Sequence, residues 1–174
     1  MKTKRLTLRN VEITDAKLLA QWKNDPDLQE MSTGQKEFTT ETEQTDITNN
    51  HDPYYILVIN ETNEPIGYIR INWLDEHATC AWLRFGLGPH RGQGYMKEAL
   101  ETLITTLFNQ GVHRIESEIY DYNTPSQKLL QSLNFEHEAH VAKPTIKTEL
   151  ITMFIFLDES NVSLVQISKI ISLM

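Results

Sequence analysis

Between Leu87 and Met96 the chain reads Gly-Pro-His-Arg-Gly-Gln-Gly-Tyr, a turn that no strand or helix can run through. Both flanks are patterned. Before it, a short polar turn leads into a strand-like stretch from about Ala78 to Leu87. After it, Met96, Ala99, Leu100, Leu103, Ile104, Leu107 and Phe108 recur at i, i+3, i+4 spacing and stop at Gly111, which predicts one long amphipathic helix. A strand, a glycine turn and a helix start in that order suit a phosphate. Glycines let the backbone approach a ligand closely, and the first N–H groups and positive end of the helix favour a pyrophosphate. Two common nucleotide motifs do not fit. Lys97 stands where the third glycine of a dinucleotide fingerprint would fall, and the Gly-Lys-Ser/Thr ending of a P-loop is absent.

The rest of the chain supplies a mixed order of elements. Leu6 and Leu8 alternate with Thr7 and Arg9, the period of a half-buried strand. A helix carrying Leu18, Leu19 and Trp22 follows, with Thr14 as its cap and Asp25-Pro26 as its end. Glu30 to Phe38 reads as a loop, and Thr40 with Glu43 has the capping-box spacing of a second helix running to about Asn50. Tyr54 to Asn60 and Ile66 to Trp73 are strand-like runs around a turn, so the middle of the chain is an antiparallel meander. Arg114 to Tyr120 is a further strand. Thr124-Pro125-Ser126-Gln127 starts a short helix with Leu129, Leu130 and Leu133, closed by Asn134, and a strand pair ends near Leu157. A strand joined through one helix to the next makes the sheet mixed, and the class is α+β. The expected domain is 1–157, followed by a tail, 158–174, whose Val162, Leu164, Val165, Ile167, Ile170, Ile171 and Leu173 predict an amphipathic helix.

Composition narrows the partners. The chain has 174 residues and a formal net charge of −8, which argues against nucleic acid, since phosphate neutralisation needs clustered Lys and Arg. From Asp25 to Asp52 there are eight acidic residues against one basic, Lys36. Such a run either attracts amines or forms a solvated helix face with loops. Cys80 is the sole cysteine, so no intrachain disulfide forms, and no stretch reaches the ~18 apolar residues of a membrane span or the apolar core of a leader. The expectation is a cytoplasmic protein that touches neither nucleic acid nor membrane, as a monomer or homodimer. His137-Glu138-Ala139-His140 lacks the i, i+4 histidines of a zinc helix, so no metal is expected.

Three features in order carry a resemblance: the start Leu8-Arg9-Asn10 with Asp15-Ala16, the loop Arg91-x-x-Gly94, and Asn123-x-x-Ser126-x-x-x-Leu130-x-x-x-x-Phe135. Over about Leu6 to Leu157 the chain resembles the GNAT acyltransferases, and within them the RimJ/RimL-like N-acetyltransferases. The resemblance implies a mixed, mostly antiparallel sheet of about seven strands with about four helices. It implies acetyl-CoA as donor, with Arg91, Gly92, Gln93, Gly94, Tyr95 and Met96 around the pyrophosphate. Met96 departs from the small residue common at that place. The backbones of Phe85, Gly86 and Leu87 would pair with the pantetheine amides, an N–H near Leu87 facing the thioester oxygen. Asn123 would contact the cofactor near the pantetheine, cap the following helix, or do both, and Ser126 would lie near the sulfur.

The same resemblance orders the catalytic candidates. An ammonium has no lone pair, so a base is useful, and Glu118, on the strand where some relatives carry a glutamate, is the candidate, with Glu116 on the same strand face. Many relatives place a tyrosine acid seven residues after the motif asparagine. Here that residue is Leu130, which moves the role of thiolate-side donor to Ser126, with Tyr120 and Tyr122 in reserve. The expected reaction is direct transfer of acetyl to a primary amine: a protein N-terminus, polyamine, amino-sugar or similar small amine. The alternative is a catalytically weak acyl-CoA-binding regulatory protein.

Overall fold

The computed structural model describes residues 1–26, 37–142 and 149–156. The tail expected over 158–174 and most of the loop expected from Glu30 lie outside them. β1 (Leu6–Asn10) buries Leu6 and Leu8 and leaves Thr7 and Arg9 on its more open face. A 3₁₀ turn, Ile13–Asp15, runs into α1 (Ala16–Lys23). Asp15, not Thr14, precedes this helix, and its side chain gives the helix no capping bond but closes a capping box with Glu12 around the 3₁₀ turn. The Asp15 carboxylate accepts the Glu12 N–H at 2.8 Å and two bonds from the Arg9 guanidinium at 2.7 Å, which hold it ionised below its usual range although burial works the other way. α2 (Thr40–Asn49) is capped by Thr39 rather than Thr40. Thr39 Oγ1 accepts from the Thr42 N–H at 3.2 Å, and Thr42 Oγ1 accepts from the Thr39 N–H at 2.9 Å. The one-residue slip releases Glu43 from a capping role and turns it inward.

β2 (Tyr54–Ile59), β3 (Pro65–Trp73) and β4 (Cys80–Leu87) form the meander. Asp75 closes the turn before β4. Its carboxylate accepts from the backbone N–H groups of Thr79, Cys80 and His77, which pulls its pKa down to about 2. α3 (Tyr95–Asn109) is the long helix of the sequence pattern, and Gly111 leaves it with φ +97°. β5 (Arg114–Tyr120), α4 (Thr124–Gln131), β6 (Glu136–Ala142) and β7 (Glu149–Phe156) complete the chain. Asn134 takes the left-handed conformation at φ +64°, as its place after α4 requires. The seven strands run β1-β2-β3-β4-β5-β7-β6 in one sheet, antiparallel except where β4 meets β5 in parallel. With four α-helices among the described residues, this is the expected α+β class.

The chain divides into two compact units. The first holds Met1–Asn72 and Arg84–Ala99; the second holds Trp73–Leu83 and the chain from Leu100 onward. In the first, Leu19 and Trp22 of α1 pack with Tyr54, Ile56 and Val58 of β2, with Ile47 of α2 and Tyr68 of β3 at the edge. In the second, Leu100, Leu103 and Leu107 of α3, Ile115 and Ile119 of β5, Leu130 of α4 and Ile155 of β7 are buried. Contact at Gly67 is close. A Cβ on Gly67 would meet the Gly86 carbonyl oxygen and the Leu87 side chain, atoms that cannot both step aside. Gly67→Ala is therefore expected to cost about 2–3 kcal/mol by overpacking, measured by urea unfolding.

Candidate functional site

The end of β4 is shaped by what lies over it. The Gly88 N–H donates to the Ile66 carbonyl at 3.0 Å, closing the β3–β4 ladder. Since alternate residues of an antiparallel strand bond to the same neighbour, the N–H groups of Leu87 and Phe85 point to the edge away from β3. Gly86 is buried beneath the Tyr68 ring, where a Cβ would come within 2.8 to 3.1 Å of its edge and hydroxyl. Gly88 is covered by the Trp22 indole, which any side chain there would strike.

The loop that follows alternates in hand. His90, Gly92 and Gly94 have φ of +60°, +77° and +77°, with Arg91 and Gln93 on the ordinary side between them. Such alternation turns successive backbone N–H groups toward one concave side, an arrangement that binds anions. Nothing lies within 4 Å of a Cβ built on Gly92, and only the Arg5 guanidinium, at 3.6 Å, approaches one on Gly94. These two glycines are therefore required by the backbone angle, with open space before them. α3 starts at once, its first i→i−4 bond running from the Glu98 N–H to the Gly94 carbonyl at 3.1 Å. Helix geometry leaves the earlier N–H groups, those of Tyr95 and Met96 among them, directed out of the helix end. The Met96 side chain is buried in the core, so only its backbone can face a ligand.

Side chains tie the loop from behind. Arg5 bonds Glu98 at 2.6 Å and the Gln93 carbonyl at 3.0 Å, and its guanidinium lies 4.4 Å over the Tyr95 ring. Burial opposes ionisation of Glu98, yet bonds from Thr3 and Arg5 hold its carboxyl below the usual range. Arg91 donates to the Leu87 carbonyl at 3.1 Å and meets Asp25 at 3.1 Å. His90 meets Glu64 at 3.2 Å. The Gln93 and Gly94 carbonyls are engaged by Arg5 and by the Glu98 N–H, and the alternating backbone before them is of the kind that gathers N–H groups around an anion.

Beside Tyr68 lies a polar cluster that sequence reasoning missed. Lys23 Nζ donates to both Glu43 oxygens at 2.8 and 2.9 Å, and Glu43 is only 2% exposed. The rings of Phe38, Tyr54 and Tyr68 stand 5.2, 5.7 and 5.7 Å from the same ammonium. Burial pushes the Lys23 pKa down, and the Glu43 charge only partly restores it. Burial also raises the Tyr68 phenol to about 12 and pushes Tyr54 up further. Next to Tyr54, Arg70 forks onto Asp46, and the Arg84 guanidinium reaches Asn72 at 2.6 Å, which donates to Asp52 at 2.7 Å. A pocket of about 380 Å³ opens here, lined by Tyr54, Arg70, Asp46, Asp52, Asn10 and neighbouring residues. A usable signal existed in α2. Ile47 is its only large apolar residue, so Glu43, one turn earlier on the same face, has to point inward.

The second unit carries the remaining candidates. Glu118 is exposed on β5, whereas Glu116 on the same face is bound by Arg114. On the opposite face Ser117 Oγ donates to the Leu83 carbonyl at 3.1 Å, just past the registered pairing of Trp82 with Glu116. Of the two residues that could cap α4, Asn123 does so, its Oδ1 accepting from the Ser126 N–H at 3.2 Å. Leu130 is fully buried and Tyr120 stacks on Tyr122 with centroids 5.3 Å apart. Among the described residues no cluster of metal ligands occurs, and no helix is long and apolar enough to cross a membrane. Cys80 opens β4 as a half-buried thiol.

Comparison with known proteins identifies the family and the fold. The acetyltransferase (GNAT) domain matches residues 5–136. The uncharacterized N-acetyltransferase p20 of Bacillus licheniformis is 32% identical over 152 residues, 78% of this chain and 82% of that protein. A putative acetyltransferase from Salmonella typhimurium, solved with its cofactor acetyl-CoA, superposes with a TM-score of 0.73 at 20% identity, covering 90% of this chain and 96% of that one. The spermidine N-acetyltransferase of Vibrio cholerae, in complex with CoA and spermine, gives 0.75 at 16% identity over 87% and 95% of the two chains. The family takes its acetyl group from acetyl-CoA, and the chain, an acyltransferase, belongs to the GNAT acetyltransferase family.

Proposed function

We propose that the protein transfers acetyl from acetyl-CoA to a primary amine by direct attack within a ternary complex, as a RimJ/RimL-like N-acetyltransferase. The observation that carries this reading is the loop from His90 to Gly94 at the start of α3, whose φ alternates in sign as anion-binding backbones do. Arg91, Gly92, Gln93, Gly94, Tyr95 and Met96 hold the pyrophosphate. The outward edge of Phe85, Gly86 and Leu87 pairs with the pantetheine, and the Leu87 N–H stabilises the oxyanion as it forms. Asn123 and Ser126 belong to the pantetheine side. Residues 1–157 make up the acetyltransferase domain, and the working compartment is the cytoplasm, with the protein as monomer or homodimer.

The acceptor is a protein N-terminus, a polyamine, an amino-sugar or a similar small amine. The buried Glu43 carboxylate of α2 and the likeness to a spermidine acetyltransferase support a cationic acceptor. Ammonium pKa values of ~8 for α-amines and ~10.4 for lysine-like amines leave little free amine at neutral pH. Glu118, acting through water, takes the proton, and Ser126 returns one to the departing thiolate. Glu118→Gln is therefore expected to slow turnover on the order of 100-fold at pH 7 and to approach the parent as pH rises to the acceptor's own pKa. A pH–rate profile parallel to the parent's would remove the base from Glu118. The function itself is tested by thiol release from acetyl-CoA across a panel of primary amines. Stabilisation by acetyl-CoA without turnover of any amine would favour the regulatory binder, a reading to which the buried Leu130 in place of a tyrosine acid lends weight.

A further inference from the structure

We propose that Glu43, Phe38, Tyr54 and Tyr68 form the ammonium site of the acceptor, and that Lys23 fills it as an internal stand-in that the acceptor must displace. The inference rests on the acetyl-transfer function proposed above and deepens it by naming where the amine is held. The chemistry of the box is specific. Two carboxylate oxygens at 2.8 and 2.9 Å and three rings within 5.7 Å are what an ammonium requires when taken out of water. The rings alone would accept any cation. The paired bonds to Glu43 add a demand for N–H donors, so the site suits a primary ammonium and disfavours a quaternary one.

Stability alone explains the pair poorly. A buried ion pair gives little over well-packed apolar residues of the same volume, so its presence in the α1–α2 core points to another use. Position supplies one. Tyr68, a wall of the box, lies directly over Gly86 on the strand assigned to the thioester. Tyr54, another wall, also lines the 380 Å³ pocket, which gives the box a neighbouring space in which an acceptor chain can lie. The Tyr54 hydroxyl is buried without a hydrogen-bond partner among the described residues, a group a ligand can satisfy. The box also works against the charge it holds. Burial lowers the Lys23 pKa more than Glu43 raises it, and an acceptor ammonium in the same place would be eased toward the nucleophilic free amine.

The test uses the full chain, n-propylammonium chloride and tetramethylammonium chloride as probes, and sodium chloride at matched ionic strength. Lys23→Ala empties the box and leaves Glu43 uncompensated. Lys23→Met serves in its place should the alanine variant not fold. Propylammonium is expected to raise the variant's Tm by several degrees, tetramethylammonium to do no more than sodium, and the parent to respond to neither. Adding Glu43→Gln should abolish the response. In thiol release with acetyl-CoA, the KM for propylamine should fall about tenfold in Lys23→Ala if Lys23 leaves the box open in a tenth of parent molecules. Absence of a propylammonium-specific Tm rise would overturn the site. A rise without faster acetylation of propylamine would overturn its assignment to the acceptor. Failure of the parent to bind acetyl-CoA would instead sink the function beneath it, and the Tm comparison would still judge the box.

Discussion

Valine at both Gly92 and Gly94 is expected to raise the dissociation constant for acetyl-CoA by at least about 100-fold while leaving the protein folded. Both residues sit at φ +77°, where a side chain costs roughly 1–2 kcal/mol each. Keeping the anion-binding backbone would therefore cost about 2–4 kcal/mol, and relaxing it would scatter the N–H groups that the pyrophosphate needs. The fold should tolerate the change because a Cβ at Gly92 meets nothing and one at Gly94 meets only a movable guanidinium. Titration calorimetry with acetyl-CoA, alongside circular dichroism, separates the two effects. Parent-like affinity in a folded variant would remove the cofactor from this loop.

Glu43→Ala should strongly destabilise the first unit. It strands the Lys23 ammonium in a site closed by α1, α2 and three aromatic rings, and breaking one side of a buried pair costs about 3–5 kcal/mol. The loss depends on pH in a direction fixed by Lys23. Its pKa in the folded protein already lies below the ordinary lysine value, and without Glu43 it falls further. Between the folded and unfolded values the unfolded chain binds more protons, so stability rises with pH across that window. The window is wider in the variant than in the parent. The gap between them should therefore be large near pH 7 and narrow as pH approaches the unfolded lysine value of ~10.4. Urea unfolding at pH 7 and pH 9.5 measures it, and a gap that stayed constant or grew would mean that Lys23 is not the charge left behind.

What could be read before folding was what the chain states locally. The α3 stripe from Met96 to Phe108, the glycine loop before it and the turn chemistry at Asn134 each depend on neighbours a few residues away. Caps were legible only to within a residue. Thr39 does the work expected of Thr40, because adjacent polar residues compete for one cap and packing of the helix decides which wins, whereas the capping reading of Asn123 holds. The box was hidden for a different reason. Lys23, Phe38, Glu43, Tyr54 and Tyr68 come from separate segments, and Glu43 belongs to an acidic run of the kind that usually forms a solvated face. Only the face marked by Ile47 distinguishes it from exposed Glu41 on the same helix.

The contact of Tyr68 with Gly86 has a meaning for how such a chain can drift over time. One phenol ring occupies the place of a missing side chain on the next strand, so the two positions share a single volume. Neither can enlarge alone: alanine at 86 requires a smaller residue at 68, and a smaller residue at 68 with glycine retained opens a hole above the strand. Because that ring also walls the Lys23 box, a lineage that changed the pair would alter its strand packing and the shape of its amine site in one step.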